Sequence, residues 1–286
     1  MKYADVESKV RDTLIKAATT FRDDHKEAYN RALKKEEDSK SLYVLENLLE
    51  NANVAEGNTS PLCDDTGIPH LFLEVGGEHA VSGNLIESIQ VGVAEGLREL
   101  PGRPMAVKGD DIQRVEQSIG LDEDPAALEM APLIIQKVDE NVLRLHVLMQ
   151  GGGPEIRGKT YRVFHRHKLS NVVDEVMEWA IEGASQLGCT PCVPAIGIGR
   201  SHFEASSLMI EAMVRGDFGV QSDIEREITN RMNATDIGPL GLRGNTTALA
   251  TFLRIGPQRA SGVRIACLRL CCSVEPRVAC VTLSEN

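Results

Sequence analysis

A chain of 286 residues is long enough for one large core or two smaller ones. Its 42% hydrophobic and 26% charged content is that of a soluble globular protein, and no apolar run approaches the roughly 20 residues that cross a bilayer. The net charge of -11 excludes non-specific nucleic-acid binding, which needs clustered positive charge, but leaves room for a local basic pocket.

The N-terminus mixes acids and bases and has no secretory h-region, so mature cytoplasmic sequence is expected. Val6, Val10, Leu14, Ala17, Ala18 and Phe21 recur at helical spacing. A second helix is expected over about Glu27 to Lys35, and a third with Leu42, Leu45, Leu48 and Leu49 on one face. "LFLEVGG" reads as a strand and "NLIESIQVGVAEGLREL" as a helix, followed by an acidic loop with short helical pieces up to Ala131. "PLIIQKV" and "NVLRLHVLM" read as two strands joined by the turn at Asp139 to Asn141, the second running into Gly151, Gly152 and Gly153.

"NVVDEVMEWAIEGASQLG" is a helix ending at Gly188 as C-cap. The strand "VPAIGIG", the helix "HFEASSLMIEAMVRG" and a helix capped by Ser222 follow. After the glycine-rich "IGPLGLRGNTTALATFLRIG" come the late strands "GVRIACLRLCC" and "RVACVTL". The fold class expected is α+β, an N-terminal helical layer packed on mixed sheets. It is read as one domain over residues 1–286 or two closely packed lobes, with no internal repeat or linker.

Seven cysteines without a secretion signal point to free or metal-bound thiols rather than a disulfide framework. In "SPLCDDTGIPH", Cys63 precedes Asp64 and Asp65, which should raise its pKa by disfavouring a further negative charge. A metal would hold such a sulfur as thiolate. Cys189 and Cys192 have CxxC spacing, but they follow a helix and precede a strand, the wrong context for a thioredoxin-like pair. Cys271 and Cys272 are adjacent, so in a strand only one of them faces a given centre. A wider set remains: Cys63, one of Cys189/Cys192 and one of Cys271/Cys272, either as separate buried thiols or around an iron–sulfur cube with one iron open as Lewis acid.

Several motifs occur together. "LCDDTG" (Cys63 to Gly67), "GGGPEIRGKT" (Gly151 to Thr160), "PCVPAIGIG" (from Pro191), "IGPLGLRGNTT" (Ile237 to Thr247) and "CCSVEPRVA" (from Cys271) lie in that order. From Leu42 onward the sequence resembles the α subunit of the iron–sulfur hydro-lyases, class I fumarate hydratase and L(+)-tartrate dehydratase. The first family motif is Cys-Gln-Asp-Thr-Gly, so Asp64 stands where the family has a glutamine that helps bind a substrate carboxylate. The resemblance implies a cluster-binding α domain holding a [4Fe-4S] cluster through Cys63, Cys192 and Cys272, with Cys271 a rival for the third ligand. It implies Asp65 as the acid that manages the leaving water. Asp64, Arg103 in "GRPMAV", and the backbone of Gly152 and Gly153 would contact a small dicarboxylate.

The family's proton-abstracting residue lies in a β part, so a separate β subunit and a homo- or hetero-oligomer are expected, without nucleic acid or membrane. The implied activity is reversible hydration of the fumarate/malate type, with L(+)-tartrate or another hydroxy-diacid as alternative. An iron–sulfur sensor on the same fold and a plain zinc protein are rival classes. "GPLGLRGNTT" is no phosphate loop, because Pro239 and Asn245 replace the required Gly and Lys. "HRH" at His165 to His167 is either a metal or anion site or a solvated strand edge.

Overall fold

The apolar positions Val6, Val10, Leu14, Ala17 and Ala18 form the buried stripe of α1 (Tyr3–Thr19) in the computed structural model, which describes residues 3–284. Next in chain order come α2 (Asp23–Lys35), α3 (Ser39–Asn58), β1 (Ile68–Val75), α4 (Gly83–Glu99) and the short α5 (Asp111–Glu116). They are followed by β2 (Ile134–Lys137), β3 (Leu143–Gln150), the single turn α6 (Gly152–Glu155), β4 (Lys159–Phe164), α7 (Leu169–Leu187) and β5 (Val193–Gly199). Then come α8 (His202–Arg215), α9 (Asp223–Asn233), β6 (Phe252–Ile255), β7 (Val263–Cys271) and β8 (Arg277–Thr282). Helices on mixed sheets make this an α+β fold, as the patterns predict. Gly188 is left-handed at the end of α7, and Ser222 and Glu225 close a capping box on α9.

The described residues fall into two compact units, one comprising residues up to Thr20, Ala52–Gly151 and Arg277 onward, the other Phe21–Asn51 and Gly152–Pro276. In the first unit a sheet of order β2-β1-β3-β8 is covered by α1 and α4. Val10, Leu14, Leu85, Ile89, Leu145 and Val147 meet in its core. The two strands read as a hairpin are both present, but they do not pair. β1 lies between them, parallel to β2 (Phe72 opposite Ile134) and antiparallel to β3 (Leu71 opposite Val147). The connection crosses the end of β1 at Gly76, whose N–H donates to the Val142 carbonyl at 2.7 Å. A Cβ at Gly76 would run into the Glu140 carbonyl, so only glycine lets the crossing pass this close.

In the second unit the order is β4-β7-β5-β6, with β5 antiparallel to β7 and parallel to β6. β5 is buried along its whole length, which is why it reads as an unbroken apolar run. α7 and α9 pack with Ile196, Leu268 and Leu270 on one face of the sheet. α8 covers the other face, where Ser206 approaches Cys267 and Met213 approaches Cys271. Two strands escape the sequence patterns. β4 is an edge strand with mostly exposed residues, and β6 is only four residues long.

A buried histidine belongs to this second unit. The ring of His25 stacks on Phe21 at 4.1 Å and Phe218 at 4.4 Å, and burial, then Arg22, lower its pKa to about 3. The folded pKa is thus depressed below the unfolded value of about 6.5, so the unfolded chain binds the extra proton in between. Stability is expected to fall as pH drops below about 6.5, by roughly 1 kcal/mol per pH unit, until about pH 3. His25→Phe should flatten that slope in urea unfolding followed from neutral to acid pH, and an unchanged slope would reject the assignment.

Candidate active site

The loop after α3 holds Cys63, Asp64 and Asp65 over a buried cation. Arg277, the first residue of β8, is 2% exposed and lies under the loop. Its Nη1 donates to the carbonyls of Asp65 (2.8 Å) and Thr66 (3.3 Å), and its Nε to Met149 O (3.2 Å). One rigid guanidinium therefore ties the loop to the end of β3. Thr66 in turn donates its hydroxyl to the Arg103 carbonyl at 2.9 Å, which brings Arg103 to the loop. Arg103 Nη1 lies 3.6 Å from Asp64 Oδ2, both side chains being exposed. An exposed pair of this kind contributes little stability, but it offsets the negative charge that Asp64 would otherwise present to a dicarboxylate.

The Cys63 pKa is raised, as the sequence predicts, but chiefly by burial. The Asp65 backbone N–H and Arg277 oppose that rise, and Asp64 adds to it by hydrogen bonding and charge. Asp65 is half-buried and Asp64 exposed. The loop thus gathers Cys63, Asp64, Asp65 and Arg103 of the expected residues in the first unit.

In the second unit the register decides between the adjacent cysteines. Val193 of β5 lies opposite Cys271 of β7, so the next position along places Cys192 beside Cys272. Cys192 and Cys272 share the apolar cluster beneath α7 and α9. Cys271 points to the opposite face, its sulfur 3.3 Å from that of Met213 on α8. Cys189 is exposed, and its carbonyl accepts from Ser273 N–H at 2.8 Å.

The motif "GPLGLRGNTT" holds the Cys192 segment in place. Thr247 O accepts from Cys192 N–H, and Leu249 N–H donates to Cys192 O. Thr190 donates its hydroxyl to Gly238 O at 2.6 Å, and Gly238 N–H donates to Thr247 Oγ1 at 3.1 Å. Gly238 has φ +69°, and a Cβ there would strike the Arg243 carbonyl, so this position requires glycine. The loop is a bracket for a cysteine rather than a phosphate cradle.

The Cys272 segment is fixed by residues that sequence reasoning missed. Tyr29, fully buried, donates its hydroxyl to Ser273 O at 2.6 Å. Arg269, 1% exposed, pairs with Glu275 at 3.1 Å and with Glu155 of α6. It thereby joins the Cys272 turn to the glycine-rich turn, where Gly153 O accepts from Arg157 at 3.0 Å. A charge inside an apolar run, as in "CLRLCC" or "EPRVAC", is the signal that could have found Arg269 and Arg277.

Among the described residues no group of three or more His, Cys, Asp or Glu side chains gathers as ligands for one metal ion. A cube spreads its corner ligands farther apart than a single ion does, so the donor chemistry is the sharper test. Burial raises the Cys192 thiol to about 12, so as a thiolate near neutral pH it requires a strong electron acceptor. With Cys272 beside it on the same face, the sulfurs suit an iron–sulfur group.

This α+β chain thus sets buried Cys192 and half-buried Cys272 on one sheet face of the second unit, and a cysteine–aspartate loop over an arginine in the first. The chain belongs to the fumarate hydratase (Fumerase) family, whose model matches residues 7–281. It is 30% identical over 284 residues to a Methanocaldococcus jannaschii protein whose name assigns it provisionally as an L(+)-tartrate dehydratase subunit alpha, covering 93% of this chain and 94% of that one. It is 24% identical over 229 residues to the L(+)-tartrate dehydratase subunit alpha of Escherichia coli, covering 78% of this chain and 73% of the relative.

Proposed function

We propose that this chain is the cysteine-bearing α subunit of a hydro-lyase that adds or removes water on a small hydroxy-diacid. The observation that carries the reading is the pairing of buried Cys192 with Cys272 on one sheet face, in a chain of this family. Cys63, Cys192 and Cys272 would hold a [4Fe-4S] cluster, which supplies a Lewis acid at an iron that no protein ligand fills. Cys271, committed to the α8 face, is left out.

The remaining chemistry belongs to the chain itself. Asp65, whose backbone carbonyl is pinned by Arg277, would hold or move the proton of the reacting water. Arg103 would bind a substrate carboxylate with the donors that face away from Asp64. The N–H groups of Gly152 and Gly153 would bind the other carboxylate. A separate β subunit, as the relatives' names suggest, would complete the site with the proton-abstracting residue. No described helix is long and apolar enough to cross a membrane. Seven cysteines suit a reducing, cytoplasmic compartment.

Metal and acid-labile sulfide analysis of anaerobically purified chain should find iron with sulfide and broad visible absorbance. Zinc without sulfide would overturn the cofactor reading. Turnover of malate or L(+)-tartrate should require the second subunit, and activity of the chain alone would overturn the partner assignment.

A further inference from the structure

The second unit carries a cationic cleft that the proposed hydration chemistry does not use. Residues 156–173 contain no Asp or Glu but include Arg157, Lys159, Arg162, Arg166 and Lys168. Residues 237–274 are likewise free of acids and include Arg254, Arg259 and Arg264. In a chain of net charge -11, composition alone does not produce such segregation. The fold brings the two segments together: the turn between β4 and α7 faces the connection between β6 and β7, enclosing a cleft of about 350 Å³.

His165, His167, Lys168, Gln258 and Arg264 line the cleft, with Ile198 and Ile255 among its apolar residues. Those two isoleucines lie opposite each other near the carboxyl ends of the parallel strands β5 and β6, the end of such strands where ligands bind in α/β sheets. His165 acts as the fastener. Its Nδ1 accepts from His167 N–H at 3.0 Å, so Nε2 carries the proton and donates to Ser261 O at 2.7 Å. Both ring nitrogens are committed, which argues against a metal.

Arg264 is held through Nη1, which donates to Ser261 O at 3.2 Å and Val263 O at 2.9 Å, leaving Nε and Nη2 for a ligand. Among the described residues no carboxylate pairs with Arg264, Lys168 or His167, whereas Arg98, Arg144, Arg200 and Arg231 each meet one. Lys168 precedes α7 and its side chain makes no capping bond.

We propose that this cleft binds a small organic oxyanion, a carboxylate or a phosphate ester. Its charged end meets Arg264 and Lys168, and its carbon skeleton rests on Ile198 and Ile255. The volume suits a small molecule rather than a macromolecule. The site lies at the other end of β5 from Cys192, roughly 20 Å away at the rise of an extended strand.

Calorimetric titration of the full-length Arg103→Ala chain, which lacks the proposed hydroxy-diacid clamp, with inorganic phosphate and, separately, with malonate tests this. Saturable binding of phosphate alone supports a phosphate ester, binding of malonate alone supports a carboxylate, and binding of both supports the shared class. Lys168→Glu should weaken that binding by about tenfold or more, as loss of a charge-assisted contact does. Arg264→Gln should act likewise; if it fails to fold, the exposed Lys168→Glu decides. Absence of saturation with both probes, or full affinity once Lys168→Glu is added, would each overturn the proposal.

Discussion

Changing Cys272 to serine is expected to abolish the iron and sulfide content of the anaerobically purified chain, while Cys271→Ala retains both. The two residues are neighbours in sequence, yet the β5–β7 register sends them to opposite faces. Cys272 lies with Cys192, and Cys271 packs on Met213. Loss of the Cys271 sulfur removes a buried contact and should cost about 1 kcal/mol in stability, visible in urea unfolding but not in metal content. Cys192→Ser should behave as Cys272→Ser does. Equal metal loss in Cys271→Ala and Cys272→Ser would contradict the face assignment.

The second large effect is expected at Arg277. Arg277→Met keeps the side-chain length but removes the donors to Asp65 O, Thr66 O and Met149 O. Buried carbonyls left without donors cost about 1–3 kcal/mol each, so a loss of roughly 3 kcal/mol or more is expected. Arg277→Lys should recover only part of it, because an ammonium cannot reproduce the rigid fork. Urea unfolding measures the stability change. Hydration activity of the assembled enzyme should fall with it, since the Cys63–Asp65 loop loses its floor. A variant of unchanged stability and activity would remove Arg277 from the site.

Sequence reasoning goes furthest where chemistry is local. The helix patterns hold because burial of one face imposes the helical period on the chain, as Val6, Val10 and Leu14 do for α1. It falters at β2 and β3, whose alternation marks two strands but cannot say that β1 lies between them. It misses β4 because an edge strand buries too little to show a clear alternation. The rise in the Cys63 pKa is foreseen, but its first cause, burial, is a property of the folded loop.

By itself the sequence determined the residue types for the proposed chemistry, their order along the chain and the family to which they belong. A thiol beside carboxylates, a glycine that alone can occupy a left-handed position and an arginine near an acid are choices written one residue at a time. Tertiary structure decided which thiols share a face, which cation lies under the cysteine loop and which arginines remain without acids. Those outcomes depend on strand register and on burial, and both are set by residues distant in sequence that meet only once the chain has folded.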